Sequence, residues 1–567
     1  MFRCKAGLSL VLLFALCLPQ GLLVEAAPLP KRPKLVVLLV VDQMRADYPR
    51  MYGSQWKHGL RRLMERGAWF TQAAYPYMNT VTCPGHATIG TGSFPATHGV
   101  ILNSWWDRAA GKSVSCTEDP KATTIVYGPK SAEKGMSAWR LEVPTFADQL
   151  RMQTGGKARV VTFSLKARSA IMSAGHGGEA VTWLDEETGT WVSSDAFSKA
   201  PVPYIEKFAR ENPIARDNGR VWMRLLPEKD YRFDDDGAGE RPPAGWEQKF
   251  PHPVRSAGDT ADIAFFNRWI RSPFADEYLA RFAMAAVEGA KLGQGEATDF
   301  LGVSFSTLDL VGHDFGPMSH EVQDVLARLD VTLGSLLDFL DRRLGPDSYV
   351  VAFSADHGLA QLPEYTVPYG PQGGRIATQT IAAGIDEVLK GFLQGEKFVA
   401  RMTYPDVYFA PGVFEKLRGN PAAMRAVEDK ILSYPGVWRV FRSDELQAAK
   451  SSEDIPARAA ALSYYPWRSG DLIVLPRPNW FFVAGQREVE RGGGTTHGTS
   501  HAYDARVPVI LMGAGIRAGE YLGDASPADI APTLAYLCGV TLPRPDGRVL
   551  DEALEPTRGR PAAKFDQ

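Results

Sequence analysis

Three aspartates and three histidines stand in this chain where chemistry could gather at strand ends. They are Asp42 in VVLLVVDQMRADY, Asp309 and His313 in FSTLDLVGHDFGP, Asp356 and His357 in VVAFSADHG, and His497 in GGGTTHGTSH. Carboxylates and imidazoles without cysteine suit zinc, whereas magnesium prefers an all-oxygen shell. In NTVTCPGHATIGTG, Thr82 stands two residues before Pro84, and proline is favoured in the first turn of a helix. Its hydroxyl reads either as a helix N-cap or as a nucleophile, activated by a metal ion at the positive end of a helix. Six metal-type ligands around one hydroxyl are the requirement of a two-metal hydrolase.

Spacing sharpens some of these readings and leaves others open. Asp309 and His313 project to one side of a short turn. Asp356 and His357 are adjacent and would face apart within a strand, so they converge only where the strand ends, and Gly358 favours a turn there. His497 follows a glycine run, but His501 competes for the same role and spacing does not decide between them. His86 reads as a supporting residue rather than a ligand, and His98, His176, His252 and His320 read as turn or surface residues. Lys166 and Arg168 follow the run VVTFS, where alternate residues point the same way. They are either a solvated pair or a phosphate grip, with arginine bidentate and lysine a point charge.

The elements that must position these residues are legible as apolar runs. LVVLLVV at 35–41 has the continuous hydrophobicity of a parallel strand buried on both faces, and similar runs occur at 159–164, 300–306, 349–354 and 507–512. Helical patterns lie between them, the longest over Glu321–Arg343. This alternation predicts an α/β fold: a doubly wound, mostly parallel sheet with helices on both faces, whose ligands bind beyond the carboxyl ends of the strands. Two stretches break the rhythm, 206–296 and 371–480, and read as cap insertions. They divide the catalytic domain into parts at 32–205, 297–370 and 481–555.

The chain has 567 residues, is 45% hydrophobic and carries a formal charge of −2. It can bury a large core, and with no basic stripe it is not expected to bind nucleic acid. Residues 1–26 read as a signal peptide, with Arg3 and Lys5 ahead of an apolar run too short for a comfortable membrane span. The mature chain is therefore expected in the periplasm or outside the cell, with no membrane span; its oligomeric state is left open, with a monomer favoured. Cys83, Cys116 and Cys538 remain after the leader is removed. An odd count in an oxidising compartment suggests a Cys83–Cys116 bridge and a buried Cys538 thiol; three unpaired cysteines are the other reading.

The set VDQMRADY, TCPGHATIGTGSFPATHGV, LDLVGHDFGP, SADHG and GTTHG resembles the alkaline phosphatase superfamily, and within it the type-I phosphate-irrepressible monoesterases that keep a threonine nucleophile. The likeness runs in order from about residue 34 to DIAPTLAYLCGV near 530–540. It implies two zinc ions, one held by Asp309, His313 and His497 and the other by Asp42, Asp356 and His357. Thr82 would lie between the metals as the nucleophile, and a phosphothreonine would form and then be hydrolysed. Asn103, Lys166 and Arg168 would grip the phosphate, which implies small-molecule phosphate monoesters as substrates. Phosphodiesterases and nucleotide pyrophosphatases of the same superfamily share the six ligands and are the alternative. Ser104 and the cysteine after Thr82 depart from the nearest pattern, and neither removes a charged group.

Overall fold

The run at 35–41 forms a strand with all seven side chains buried. Its faces feed different cores: Leu35, Val37, Leu39 and Val41 join one apolar cluster, Val36, Leu38 and Val40 the other. This is the two-sided burial that the unbroken hydrophobicity requires. A computed structural model describes residues 32–131, 133–369 and 373–556; the expected leader at 1–26 lies outside them.

Ten of the described strands build the main sheet: β1 (Leu35–Val41), β2 (Ala68–Phe70), β3 (Thr124–Val126), β4 (Val160–Ser164), β5 (Ala180–Asp185), β6 (Thr190–Ser194), β7 (Asp299–Phe305), β8 (Tyr349–Ser354), β9 (Val509–Gly513) and β10 (Gly519–Tyr521). Their order is β10-β2-β9-β8-β1-β7-β4-β5-β6-β3. The centre, β8-β1-β7-β4-β5, is parallel, with Leu35 in register with both Asp299 and Tyr349. One expectation is corrected. The run at 507–512, read as another parallel strand, supplies β9, which is antiparallel to β8. The chain enters β9 from the edge at which β1, β7 and β8 finish, so a residue that precedes β9 reaches the same edge as residues that follow the others.

Helices cover both faces. Thr82–Thr91 (α1) and Ala167–Ala174 (α2) pack on the face of Val36, Leu38 and Val40. Pro273–Gly289 (α3) and His320–Leu344 (α5) cover the other face, and Thr307–Phe315 (α4) follows β7. In α5, Val322, Val325, Leu326, Leu329, Leu333 and Leu336 form one buried stripe at helical spacing. Ser319 caps it by accepting a hydrogen bond from the Val322 amide at 3.2 Å.

The 371–480 stretch contains an antiparallel sheet of its own, ordered Val399–Thr403, Asp406–Phe409, Leu472–Pro476, Val437–Arg442, over a separate apolar cluster that includes Ile385, Val407, Leu417 and Val427. Among the described residues, no helix is long and apolar enough to cross a membrane.

Candidate metal centre and active site

Asp42 follows β1, and the backbone turns at once. Gln43 takes φ 71°, a left-handed conformation that costs a non-glycine residue of order 1–3 kcal/mol. From there its amide donates to Asp356 Oδ1 at 3.1 Å, and its side-chain Nε2 donates to Asp309 Oδ1 at 2.7 Å. Gly312 makes the space: a Cβ there would lie 1.9 Å from Gln43 Oε1. Gln43 thus ties two carboxylates from different strand ends to a third. Sequence reasoning missed it; the only signal was its place beside Asp42.

Asp309 and His313 lie on α4, a full helix rather than the expected short turn, and their i,i+4 spacing brings His313 Nε2 to 3.2 Å from Asp309 Oδ1. His497 Nε2 reaches the same oxygen at 3.7 Å. On the other side, His357 Nε2 is 3.3 Å from Asp42 Oδ1 and 3.4 Å from Asp356 Oδ2. Two tight groups result, Asp309 with His313 and His497, and Asp42 with Asp309 and His357. Asp309 stands in both, while Asp356 adjoins the second through His357.

Each of the three imidazoles faces a backbone carbonyl with Nδ1: His313 to Thr495 at 2.8 Å, His357 to Gly358 at 3.0 Å and His497 to Thr80 at 2.9 Å. A carbonyl can only accept, so Nδ1 carries the proton and Nε2 offers a lone pair inward, the tautomer a metal ligand needs. His501 instead donates Nε2–H to Pro476 at 2.9 Å and stacks near Trp438, away from the cluster. His86 donates to the Thr82 carbonyl at 3.0 Å and lies 3.3 Å from Asp356 Oδ2, consistent with support rather than ligation. Three histidines read as turn or surface residues are buried: His98, His252 and His320. Each has a partner, Thr88, Glu321 and the Phe233 carbonyl respectively.

The cluster is short of positive charge. Asp42, Asp309 and Asp356 are buried together, and the Lys166 ammonium, 2.5 Å from both Asp42 Oδ2 and Asp309 Oδ2, is the cation between them. Burial, then the Asp309 and Asp356 charges, push the Asp42 carboxyl well above the usual carboxylate range. Burial and the neighbouring His357 and His313 rings hold the His497 imidazole well below its ordinary value, in the neutral form a ligand requires. Asp42 Oδ1 and Asp356 Oδ2 are buried without a hydrogen-bond partner. Orphaned carboxylate oxygens beside inward-facing imidazole lone pairs fit divalent cations, which would remove the charge imbalance.

Thr82 opens α1, and the N-cap is Val81, so the threonine side chain is not used as a cap. Its Oγ1 lies 3.5 Å from His357 Nε2. The helix comes this close to β8 because Gly85 has no side chain; a Cβ there would be 2.3 Å from the Asp356 carbonyl oxygen. Next to Thr82, the Cys83 amide donates to Asn103 Oδ1 at 2.7 Å, and the Cys116 amide donates to the Asn103 carbonyl at 2.9 Å. Cys83 and Cys116 form the expected disulfide, and Cys538 is a buried free thiol. Asn103 is therefore pinned from both ends of one covalent bridge. Lys166 precedes α2 and Arg168 lies in its first turn. The Arg168 guanidinium has no hydrogen-bond or ion-pair partner among the described residues, and its Nε is buried. It shares with Lys166 a cleft of about 400 Å³ rimmed by Glu133, Asp185, Glu186 and Glu187.

Known proteins share this architecture and sequence. The profile of the family "Type I phosphodiesterase / nucleotide pyrophosphatase" matches residues 36–504. Alkaline phosphatase PafA of Elizabethkingia meningoseptica is 32% identical, over 90% of this chain and 92% of that one. Alkaline phosphatase PhoK of Sphingomonas sp. is 33% identical, over 92% of this chain and 91% of that one. The crystal structure of wild-type PafA superposes with a TM-score of 0.83 at 30% identity, covering 93% of this chain and 99% of that one. The chain belongs to the type I phosphodiesterase / nucleotide pyrophosphatase family of the alkaline phosphatase superfamily, and it is a phosphoester hydrolase.

Proposed function

We infer that this enzyme is an exported, zinc-dependent phosphomonoesterase that works through a phosphothreonine on Thr82. The observation that carries the monoester reading is the Arg168 guanidinium, without a hydrogen-bond or ion-pair partner among the described residues, in one cleft with Lys166, whose ammonium reaches the ligand cluster. A monoester dianion presents three unesterified oxygens, and a guanidinium without a protein counter-ion is available to hold two of them. The relatives' names point the same way. A further PafA crystal structure carries substitutions of a Thr, an Asn, a Lys and an Arg, the order in which Thr82, Asn103, Lys166 and Arg168 occur here.

In this reading Thr82 Oγ1 attacks phosphorus, the bond from phosphorus to the leaving oxygen breaks, and the alcohol departs with a proton. Water then attacks the phosphothreonine, releasing phosphate and restoring the hydroxyl. Asn103, Lys166 and Arg168 hold the equatorial oxygens as charge builds on them. Asp309, His313 and His497 would hold one zinc ion, and Asp42, Asp356 and His357 the other. When bound, the two ions lower the pKa of the attacking hydroxyl and balance charge on the leaving oxygen. Zinc is the choice that imidazole and carboxylate donors without cysteine favour. The insertions at 206–296 and 371–480 act as a cap, and the Cys83–Cys116 bridge suits an oxidising compartment.

The family also contains phosphodiesterases, so the competing reading is a diesterase on the same metals. Initial rates on phenyl phosphate and diphenyl phosphate, with zinc content measured on the same preparation, separate the two. We expect the monoester to be faster by at least about 10²-fold, the scale on which removing one transition-state donor acts. A faster diester would overturn the assignment of Arg168 and Lys166.

A further inference from the structure

The Thr82 hydroxyl lies on the His357 side of the cluster, 3.5 Å from its Nε2. In-line displacement places the leaving group opposite the nucleophile, which here is the side of Asp309, His313 and His497. His313 also lines a separate cleft of about 590 Å³, together with Arg241, Arg271, Arg375 and Arg491. Two of these arginines are committed. Arg271 donates to Asp314 at 2.8 Å, and Arg375 donates to Glu364 at 2.6 Å and to the Gly494 carbonyl at 2.7 Å.

The other two are not. Neither the Arg241 nor the Arg491 side chain has a hydrogen-bond or close ion-pair partner among the described residues: Asp314, which feels the Arg241 charge, is hydrogen-bonded to Arg271, Glu488 receives the Ala484 amide at 2.7 Å, and Arg491 is exposed. Arg241 is half-buried and sits against the glycine loop that leads to His497. A Cβ on Gly494 would lie 3.2 Å from Arg241 Nη2 and 3.1 Å from the His313 carbonyl oxygen. Gly492, Gly493 and Gly494 have φ of 61°, 70° and 72°, a run of left-handed residues that lets the backbone pass beneath the guanidinium. The cleft at Arg168 has the opposite character, with an acidic rim.

We propose that the Arg241–Arg491 cleft is a leaving-group subsite for an anion, so that the preferred substrates are small phosphate monoesters whose alcohol carries a second phosphate or a carboxylate. This rests on the phosphomonoesterase reading and specifies its substrate class. Arg241 and Arg271 share the single Asp314 carboxylate, so the cleft holds more guanidinium than carboxylate, and an anion there would bind the half-buried Arg241 that Asp314 does not hydrogen-bond. A neutral alkyl leaving group would leave that excess in place.

The test compares kcat/KM for propyl phosphate with that for α,ω-alkanediol bisphosphates and ω-carboxyalkyl phosphates of increasing chain length, on the zinc-loaded enzyme and on Arg241→Gln/Arg491→Gln. At the best length, we expect a preference of about tenfold over propyl phosphate, equivalent to ~1.4 kcal/mol, falling to about one in the double variant. Arg241→Lys, which keeps the charge, should retain part of it. Whichever anion gives the larger preference identifies the natural partner of the cleft. Calorimetric binding of an alkane bisphosphonate against propylphosphonate, on the Thr82→Ala background, reads the subsite without turnover. Equal rates at every length in the wild type, or a preference that survives in a folded double variant, would overturn the proposal. If propyl phosphate itself is not hydrolysed, the monoesterase reading fails, and calorimetry then decides the subsite alone: tighter bisphosphonate binding lost in the double variant supports it, and equal binding overturns it.

Discussion

The two flanks of the ligand cluster are built in opposite ways. On one, Lys166 and Arg168 come from the junction of a central sheet strand with its helix, and the Lys166 ammonium stands between two carboxylates that the proposed metal ions would neutralise in its place. On the other, Arg241, Arg375 and Arg491 come from or beside the insertions, around a loop of left-handed glycines. In the proposed reading the sheet flank, built on a central strand and its helix, faces the part of a phosphate ester that every substrate shares, and the other flank, built on loops, faces the part that differs. Rigid elements would then hold the reacting group, while loops select its attachment.

The largest effect should come from breaking the sheet flank. Lys166→Ala with Arg168→Ala is expected to lower kcat/KM for phenyl phosphate by roughly 10³-fold or more, and the rate on diphenyl phosphate by far less. An equal loss on both esters would show that the pair supports the metals rather than the phosphate. A metal count sharpens the same contrast. On the proposed assignment Asp309 and His313 serve the same ion, so Asp309→Ala and His313→Ala should each reduce bound zinc by about one ion per chain, and Asp42→Ala by the other. Mass spectrometry of metal content reads this directly, with loss of thermal stability on chelation as the companion measurement.

Smaller, but specific, is the expected effect of Gln43→Ala. It removes a hydrogen bond to Asp309 while leaving the strained φ in place, and support of this kind is worth about 10–100-fold in metal affinity. Competition with a chromophoric chelator measures it, and unchanged affinity would mean the carboxylates hold their positions unaided.

The last effect is on stability alone and belongs to the 371–480 stretch. Asp406 is buried in its sheet with Oδ2 unpartnered, and burial pushes its carboxyl up to about 7. A carboxyl raised in the folded state binds its proton there at pH values where the unfolded chain has lost it. Stability therefore falls as pH rises from about 4, the unfolded value, to about 7. Between pH 5 and 8 the wild type should lose roughly 2–3 kcal/mol that Asp406→Asn does not. Unfolding curves at several pH values test the slope, whatever constant cost the amide adds; parallel slopes would remove Asp406 as the cause.

The sheet was legible because its centre is parallel and buried on both sides, which forces unbroken apolar runs such as 35–41. Asp42, Asp356 and His357 were legible for the same reason, as polar residues that end such runs. His497 was found through its glycine run, although the picture of a preceding strand end was wrong. It comes before β9, and only the antiparallel direction of β9, which pairing determines and hydrophobicity does not, brings it to the common edge. Gln43 was hidden because nothing in a glutamine announces a left-handed turn. His252 and His320 were misread because their partners, Glu321 and the Phe233 carbonyl, are distant in sequence. Arg241 was illegible for a related reason: it lies in a turn-rich stretch, where no periodicity assigns a facing.

The antiparallel entry into β9 also has a consequence in time. Asp42 lies near the start of the chain and His497 near its end, so the first ligand is made long before the last. During synthesis the earlier carboxylates exist without the imidazole that completes the set. A chain cut short before the glycine loop could form much of the parallel centre and still lack one corner of its Asp309 group. On the two-metal reading, full metal loading would thus report that the chain has been completed through the glycine loop, and a product cut short before it would lack a ligand.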